Sequence, residues 1–376
     1  MLEFNFGEYT TRVFISRRVC DIDQIAADMN PQTDSSRRFA ENCLVICDEN
    51  TSYIADKICG SHKTPRCVLK SGEEVKNWDS VELILKTAHE AGLGRDSCYI
   101  GAGGGVAGDL AGFASSIYMR GCSLVLVSTT LLGMTDASVG GKTGFNIFGI
   151  KNFAGSFYPA RNVYLPLDCL ATLPEKEWKS GFAEIIKTAV LDGDDFLDQL
   201  SIINGNVTGK PLIENGQLSI KNSLDNELLD KLVERAVIFK GSVVSEDLRE
   251  SGRRAILNLG HTFGHALEAS CGLGNVSHGE AVAWGIVRAC ELGRFLGITP
   301  GKRAQRITDL IKSFGYEVSS PHPLVSSADL FFQAMNSDKK KKKMKLTFIV
   351  PDADSAVPVT LDSQKDIKSL KKIITG

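Results

Sequence analysis

Two hydrophobic patterns divide the chain. In the first half, short unbroken apolar runs recur: NCLVICDEN (42–50), the start of SCYIGAGGG (97–105), CSLVLVSTT (122–130) and NVYLP. Runs of this length without polar alternation suit strands buried on both faces of a parallel sheet. Between them, SGEEVKNWDSVELILKTAHEAGL reads as a loop and then an amphipathic helix, and VAGDLAGFASSI as a helix of small residues. Past DCLATLPEKEW (168–178) the period becomes helical, in KSGFAEIIKTAVL, LLDKLVERAVIFKGSVVSEDL and AVAWGIVRACELGRFLG. The stretch 201–228 is polar and reads as a surface excursion, and LTFIV near the C-terminus reads as a strand. The pattern predicts an α/β protein of two domains, 1–175 built on a sheet and 176–376 mainly helical. It shows neither internal repeats nor coiled-coil heptads.

Composition adds limits. At 376 residues two domains are expected rather than one core. Net charge is −2, so the whole molecule offers no attraction to nucleic acid or an anionic membrane, and anion recognition must be local. No apolar run reaches the length of a membrane span. The start, MLEFNFGEYTTRVF, has the pattern of neither a signal peptide nor a presequence. Ten scattered cysteines without CxxC spacing suggest no disulfide framework or thiolate zinc site, and reduced thiols in the cytoplasm are expected.

Candidate chemistry centres on RRAILNLGHTFGHALEASCGLGNVSHGEAVAWG (253–285), which holds three of the six histidines. His261 and His265 are four apart and share a helix face, and after a Gly/Asn/Ser break His278 opens a second helix. Two helices joined by a short loop can gather imidazoles at a metal. Upstream, Gly103, Gly105 and Gly108 satisfy G-x-G-x-x-G between a strand and a helix, which lets backbone amides approach a pyrophosphate. A tight turn explains the same glycines, and no acidic residue follows about 20 positions on to hold a ribose. Lys142, Lys151 and Asn152 fall in a glycine-rich segment read as a loop, where they form either a phosphate cradle or an ordinary solvated surface. Glu184 and Lys187 lie one turn apart, as a surface ion pair or, given apolar neighbours, a buried one. The five lysines 339–343 read as a solvated face or, beside a strand, as part of a site.

GGGVAGDLAGF, YMRG, TTLLGMTDASVGGKTG, GIKN, TLPEKEWKSGFAEIIK, LNLGHTFGHA and HGEAVAWG occur in this order. Together they resemble the 3-dehydroquinate synthase family of sugar-phosphate cyclases over roughly residues 40–350. The resemblance implies a Rossmann-like NAD-binding domain followed by a helical metal- and substrate-binding domain. It assigns the metal, zinc or cobalt, to Glu184, His261 and His278, and moves His265 from the metal to the substrate phosphate. NAD+ contacts fall on Asp48, Glu73, Lys76, Gly103, Gly104, Gly105, Asp109, Thr129 and Thr130, with Lys142 and Lys151. The phosphate pocket falls on Lys142, Asn152 and His265, completed by Arg120 from the second subunit of a homodimer. Lys240 and Arg254 would bind the substrate carboxylate beside Glu250. Asp136, Lys187 and Asn258 would hold ring hydroxyls, and with Lys142 and His265 make up the implied catalytic set. A DKK pattern inside DKKKKKM would bring in Lys339 or Lys340. DLRESGRR departs from the commoner form, which begins Asp-Glu, but keeps Glu250, Gly252 and Arg254 in register.

The implied reaction converts 3-deoxy-D-arabino-heptulosonate 7-phosphate to 3-dehydroquinate and phosphate. It runs by transient oxidation with NAD+, β-elimination, re-reduction, ring opening and intramolecular aldol closure. Other cyclases, aminodehydroquinate synthase above all, are the nearest alternatives. A metal-dependent polyol dehydrogenase would share the architecture, and a non-catalytic polyanion binder would be expected to lack ligands or the GGG turn. Cyclases whose substrates lack a carboxylate have no use for Lys240 with Arg254.

Overall fold

The apolar runs become the middle of a seven-stranded sheet of order β1-β2-β9-β6-β5-β3-β4. Its strands are β1 (Leu2–Phe6), β2 (Tyr9–Ser16), β3 (Cys43–Asp48), β4 (Arg66–Leu69), β5 (Cys98–Gly103), β6 (Ser123–Ser128) and β9 (Asn162–Pro166). All neighbours pair in parallel except β1 with β2. Every residue of β5 and β9 is buried, as parallel strands covered on both faces require. On edge strand β1, by contrast, burial alternates with exposure. Helices α1 (Ile22–Met29), α2 (Ser36–Glu41), α3 (Ser52–Cys59), α4 (Trp78–Glu90) and α5 (Gly105–Ile117) complete this half. The computed structural model describes residues 1–29, 36–206, 213–214, 217–218, 226–272, 275–325, 327–337 and 345–362, with positions 366, 370 and 373.

The segment read as a glycine-rich loop is a β-hairpin, β7 (Lys142–Ile147) with β8 (Ile150–Phe157). Phe148 and Gly149 both have positive φ (56° and 72°), the condition for a tight two-residue turn between twisted strands. Thus Lys142, Lys151 and Asn152 stand on a ladder. Glycine density hid the strands because Gly144 and Gly155 face each other across it, where an added Cβ would lie 2.6 Å from Ala154 O or 2.1 Å from Thr143 O.

Helices dominate the remainder: α6 (Glu175–Asp192), α7 (Asp194–Asn206), α8 (Asn226–Glu246), α9 (His261–Cys271), α10 (His278–Phe295), α11 (Gly301–Ser313) and α12 (Ala328–Ser337). An antiparallel pair, Lys345–Pro351 with Ala356–Asp362, lies near the C-terminus. The chain forms two compact units, Met1–Leu173 with Val233–Glu250, and Pro174–Leu232 with Ser251–Gly376. A single cut at 175/176 does not reproduce this division, because Val233–Glu250, which carries Lys240, groups with the unit that contains the sheet. Most of the polar stretch 201–228, and Lys339 and Lys340, lie outside the described residues. Among those described, no helix is long and apolar enough to cross a membrane. All ten cysteines are free, and burial pushes the Cys20 and Cys122 thiols up to about 12.

Candidate active site

In the sheet unit, β5 ends at Gly103, Gly104 caps α5 with extended backbone, and Gly105 is the first helical residue. A Cβ on Gly103 would lie 2.8 Å from Ala107 Cβ, and one on Gly104 2.9 Å from Thr130 Cγ2. Glycine there leaves the helix N-terminus bare, with its partial positive charge and unsatisfied N–H groups. Gly103, Gly104, Gly105, Asp109, Ser138 and Lys142 line one cleft. Thr129 is buried at the end of β6 and donates its N–H to Gly103 O at 3.0 Å; Thr130 Oγ1 accepts from Gly133 N at 3.0 Å.

Lys76 is 5% exposed, and its Nζ donates to Asp109 Oδ2 and Asn152 Oδ1, each at 2.5 Å. It ties α5 to the hairpin. Burial pushes the Asp109 carboxyl up, and the Lys76 cation pulls it back. Asn152 holds a positive φ of 50°, and its N–H donates to Asn146 Oδ1 at 2.8 Å, while Asn146 Nδ2 donates to Glu73 Oε1, also at 2.8 Å. At the end of β3, Asp48 Oδ1 accepts from the N–H and hydroxyl of Thr51, both at 2.9 Å. Thr51 also donates to Ala102 O, joining β3 to β5 at the strand ends; reading residue types along the chain did not single it out.

A second group in this unit ties the segment Val233–Glu250 to the turn Gly133–Ala137 and to the start of β7. Lys240 Nζ donates to Asp136 O at 2.5 Å and to Asp136 Oδ1 at 2.7 Å. Lys142 pairs with Glu250, whose φ is 55°. Lys151 and Arg120 are exposed, and Arg120 sits at φ 71° after α5.

In the helical unit, α10 is the centre, packing against α6, α9 and α11. A capping box starts it: Ser277 Oγ accepts from Glu280 N at 3.3 Å, and Glu280 Oε2 accepts from Ser277 N at 3.0 Å. That makes His278 the first helical residue. Small residues let the helices approach backbone to backbone. A Cβ on Gly279 would lie 2.4 Å from Ser180 Cα in α6, and one on Gly285 2.1 Å from Gly260 O before α9. Gly285→Ala is therefore expected to cost about 1–3 kcal/mol of stability through overpacking. Urea unfolding would show a lower midpoint at unchanged slope, and an unchanged midpoint would refute the close contact.

These approaches gather Glu184 of α6, His261 of α9 and His278 of α10, whose ligand atoms lie within 4.8 Å of one another. Glu184 is 1% exposed and is charge-paired with Lys187, itself buried. Among the described residues neither Glu184 oxygen accepts a hydrogen bond of ordinary geometry, so beside the Lys187 ion pair its lone pairs are available to a metal ion. His261 Nδ1 lies 3.2 Å from Leu259 O; a carbonyl only accepts, so Nδ1 carries the proton and Nε2 keeps its lone pair. One carboxylate and two imidazoles suit zinc or cobalt and leave open positions. His265 is exposed on the same helix, its ring 5.3 Å from that of His261. Glu268, His265 and His278 form a second possible ligand group. Sequence reading passed over Glu268, though it lies one turn beyond His265. Arg254 is 2% exposed in the 3-10 turn Arg253–Asn258, which also carries Asn258 and contacts α6.

Residues 66–180 match the family model described as 3-dehydroquinate synthase N-terminal, and residues 181–341 the C-terminal one. Among similar curated proteins, the 3-dehydroquinate synthase of Prochlorococcus marinus strain MIT 9313 is 41% identical over 299 residues, 80% of this chain and 76% of its own length. The one from strain SARG of the same species is 39% identical over 345 residues, 90% of each chain. Among solved structures, 2-epi-5-epi-valiolone synthase from Streptomyces hygroscopicus subsp. jinggangensis 5008, with NAD+ and Zn2+ bound, superposes with TM-score 0.79 at 23% identity, covering 98% of each chain. A 2-deoxy-scyllo-inosose synthase complexed with carbaglucose-6-phosphate, NAD+ and Co2+ gives TM-score 0.78 at 23% identity, over 99% of this chain and 98% of that one. These structural likenesses speak for the fold.

Proposed function

The chain belongs to the 3-dehydroquinate synthase family, and on that premise we propose that it converts 3-deoxy-D-arabino-heptulosonate 7-phosphate to 3-dehydroquinate and phosphate. The observation that carries this reading is identity near 40% to a synthase of that name across nine-tenths of both chains. The enzyme is read as a cytoplasmic, homodimeric, phosphate-eliminating lyase. Exposed Phe148, Ile150, Phe153 and Phe157 on the hairpin, with Met119 beside Arg120, support a protein interface on the sheet unit.

Glu184, His261 and His278 would hold the divalent metal. The Gly103–Gly105 turn would hold the NAD+ pyrophosphate, with Asp48, Glu73, Lys76, Asp109, Thr129, Thr130, Lys142 and Lys151 along the cofactor. Bound there, the nicotinamide supplies a reversible two-electron acceptor and the metal a Lewis acid. The chain's own groups bind and orient. Lys142, Asn152 and His265, with Arg120 of a second subunit, would take the phosphate and stabilise it as it leaves. Lys76 presets Asn152 for that task by holding its side-chain oxygen. Lys240 and Arg254 would bind the carboxylate beside Glu250, while Asp136, Lys187 and Asn258 would orient hydroxyls. The departing phosphate is itself basic enough to accept the proton lost in β-elimination, so no separate protein base is required. Orientation and charge stabilisation are then the protein's main contributions.

Phosphate release from the heptulosonate phosphate, followed together with NADH absorbance, tests the reading. Metal-stripped protein given zinc and catalytic NAD+ is expected to release phosphate far in excess of cofactor, with no lasting NADH. Steady NADH accumulation would indicate a dehydrogenase, and absence of turnover another cyclase.

A further inference from the structure

We propose that Glu268 is the positioning residue for His278: it sets the ring orientation and tautomer in which His278 meets the metal. The inference rests on reading Glu184, His261 and His278 as metal ligands. The two ring nitrogens of His278 face two different carboxylates. Nε2 lies 3.7 Å from Glu184 Oε1, and Nδ1 lies 3.7 Å from Glu268 Oε2. A neutral imidazole offers a lone pair from one nitrogen and keeps its proton on the other. The nitrogen facing Glu184 belongs to the ligand cluster, so the proton belongs on Nδ1, where a carboxylate waits that can only accept. At 3.7 Å the pair is at ion-pair range, longer than a hydrogen bond.

His261 shows the same arrangement with a different acceptor. Its Nδ1 faces the Leu259 carbonyl at 3.2 Å, so each imidazole has its outer nitrogen directed at an oxygen. His261 stands at the start of α9, where a backbone carbonyl lies within reach. His278 opens α10, and α9 supplies Glu268 from across the helix pair. Glu268 is 9% exposed, so the carboxylate facing Nδ1 is held inside the helix pair rather than in solvent. An outer carboxylate also raises the basicity of the imidazole it holds, which strengthens the bond to metal.

The test is Co2+ titration of the full-length protein, read by chelator competition and by the visible absorption of the bound ion, with Glu268→Ala, Glu268→Gln and Glu184→Gln beside the wild type. Glu268→Ala is expected to lower Co2+ affinity by about 10- to 100-fold and to alter the cobalt spectrum. Glu268→Gln keeps an acceptor oxygen and is expected to recover part of that loss. A role confined to packing would lower the melting temperature of the metal-free protein and leave both cobalt readouts at wild-type values. Wild-type affinity and spectrum in the Glu268 variants, with binding lost in Glu184→Gln, overturn the inference and leave the metal reading standing. If Glu268→Ala does not fold, Glu268→Gln decides by the same readouts. Failure of the wild type to bind Co2+ overturns the metal reading itself. Complete loss in Glu268→Gln with binding kept in Glu184→Gln would put the ion among His265, Glu268 and His278, and overturns both.

Discussion

Glu184→Gln is expected to release the metal and abolish phosphate turnover. On the scale of about 10 kcal/mol for structural zinc sites, one anionic ligand of three would carry roughly a third, about 10²–10³-fold in affinity. The amide retains the shape of the carboxylate and not its charge. A second effect follows from burial. Lys187 is 2% exposed and loses the carboxylate it is paired with, which costs on the order of 3–5 kcal/mol in the metal-free protein. The two effects separate in Glu184→Gln/Lys187→Met, which should regain stability in urea and still fail to retain zinc. Metal content after dialysis, chelator competition and urea unfolding measure them. Zinc retained by Glu184→Gln at wild-type affinity would remove this residue from the ligand set.

The Glu184, His261 and His278 cluster also marks how far sequence reading reaches. The four-residue step from His261 to His265 is a local fact, visible in the chain, and both do lie on α9 with their rings 5.3 Å apart. Local spacing favours that pair as ligands. It does not reveal that α6 runs against α10 closely enough, at Ser180 and Gly279, to bring a buried carboxylate to His278. Motif resemblance supplied Glu184, because a family pattern encodes tertiary proximity that period and propensity do not. The parallel strands were legible for the opposite reason, since β3, β5, β6 and β9 are each one buried run with its own signal. The β7–β8 hairpin was missed because its glycines satisfy a close backbone approach across the ladder, which from sequence looks like a loop. The Lys142–Glu250 and Lys240–Asp136 pairs were likewise invisible as contacts: each joins the hairpin or the turn Gly133–Ala137 to Val233–Glu250, far along the chain. Glu268 illustrates a different limit. A glutamate on a helix is ordinary until the structure shows it buried beside an imidazole.

Arg254→Leu is expected to separate this enzyme from cyclases whose substrates have no carboxylate. A guanidinium buried to 2% exposure is a costly arrangement, suited to a site that must match a planar anion with two parallel hydrogen bonds. Removing it should cost roughly 3–4 kcal/mol of transition-state stabilisation, about 10²–10³-fold in kcat/KM with the heptulosonate phosphate. Turnover of a heptulose phosphate without the carboxylate, expected to be slow in the wild type, should change little, so the preference between the two substrates collapses. Arg254→Lys keeps the charge as a point and loses the fork, and should fall between the wild type and the leucine variant. Because Arg254 is buried, each variant is first compared with the wild type in urea unfolding and zinc content, so that a folding defect is not read as lost recognition. If kcat/KM for both substrates falls by the same factor in a folded, zinc-loaded Arg254→Leu, the residue does not read the carboxylate. The synthase reading would then have to find that recognition elsewhere, with Lys240, already fixed by Asp136, the next position to test.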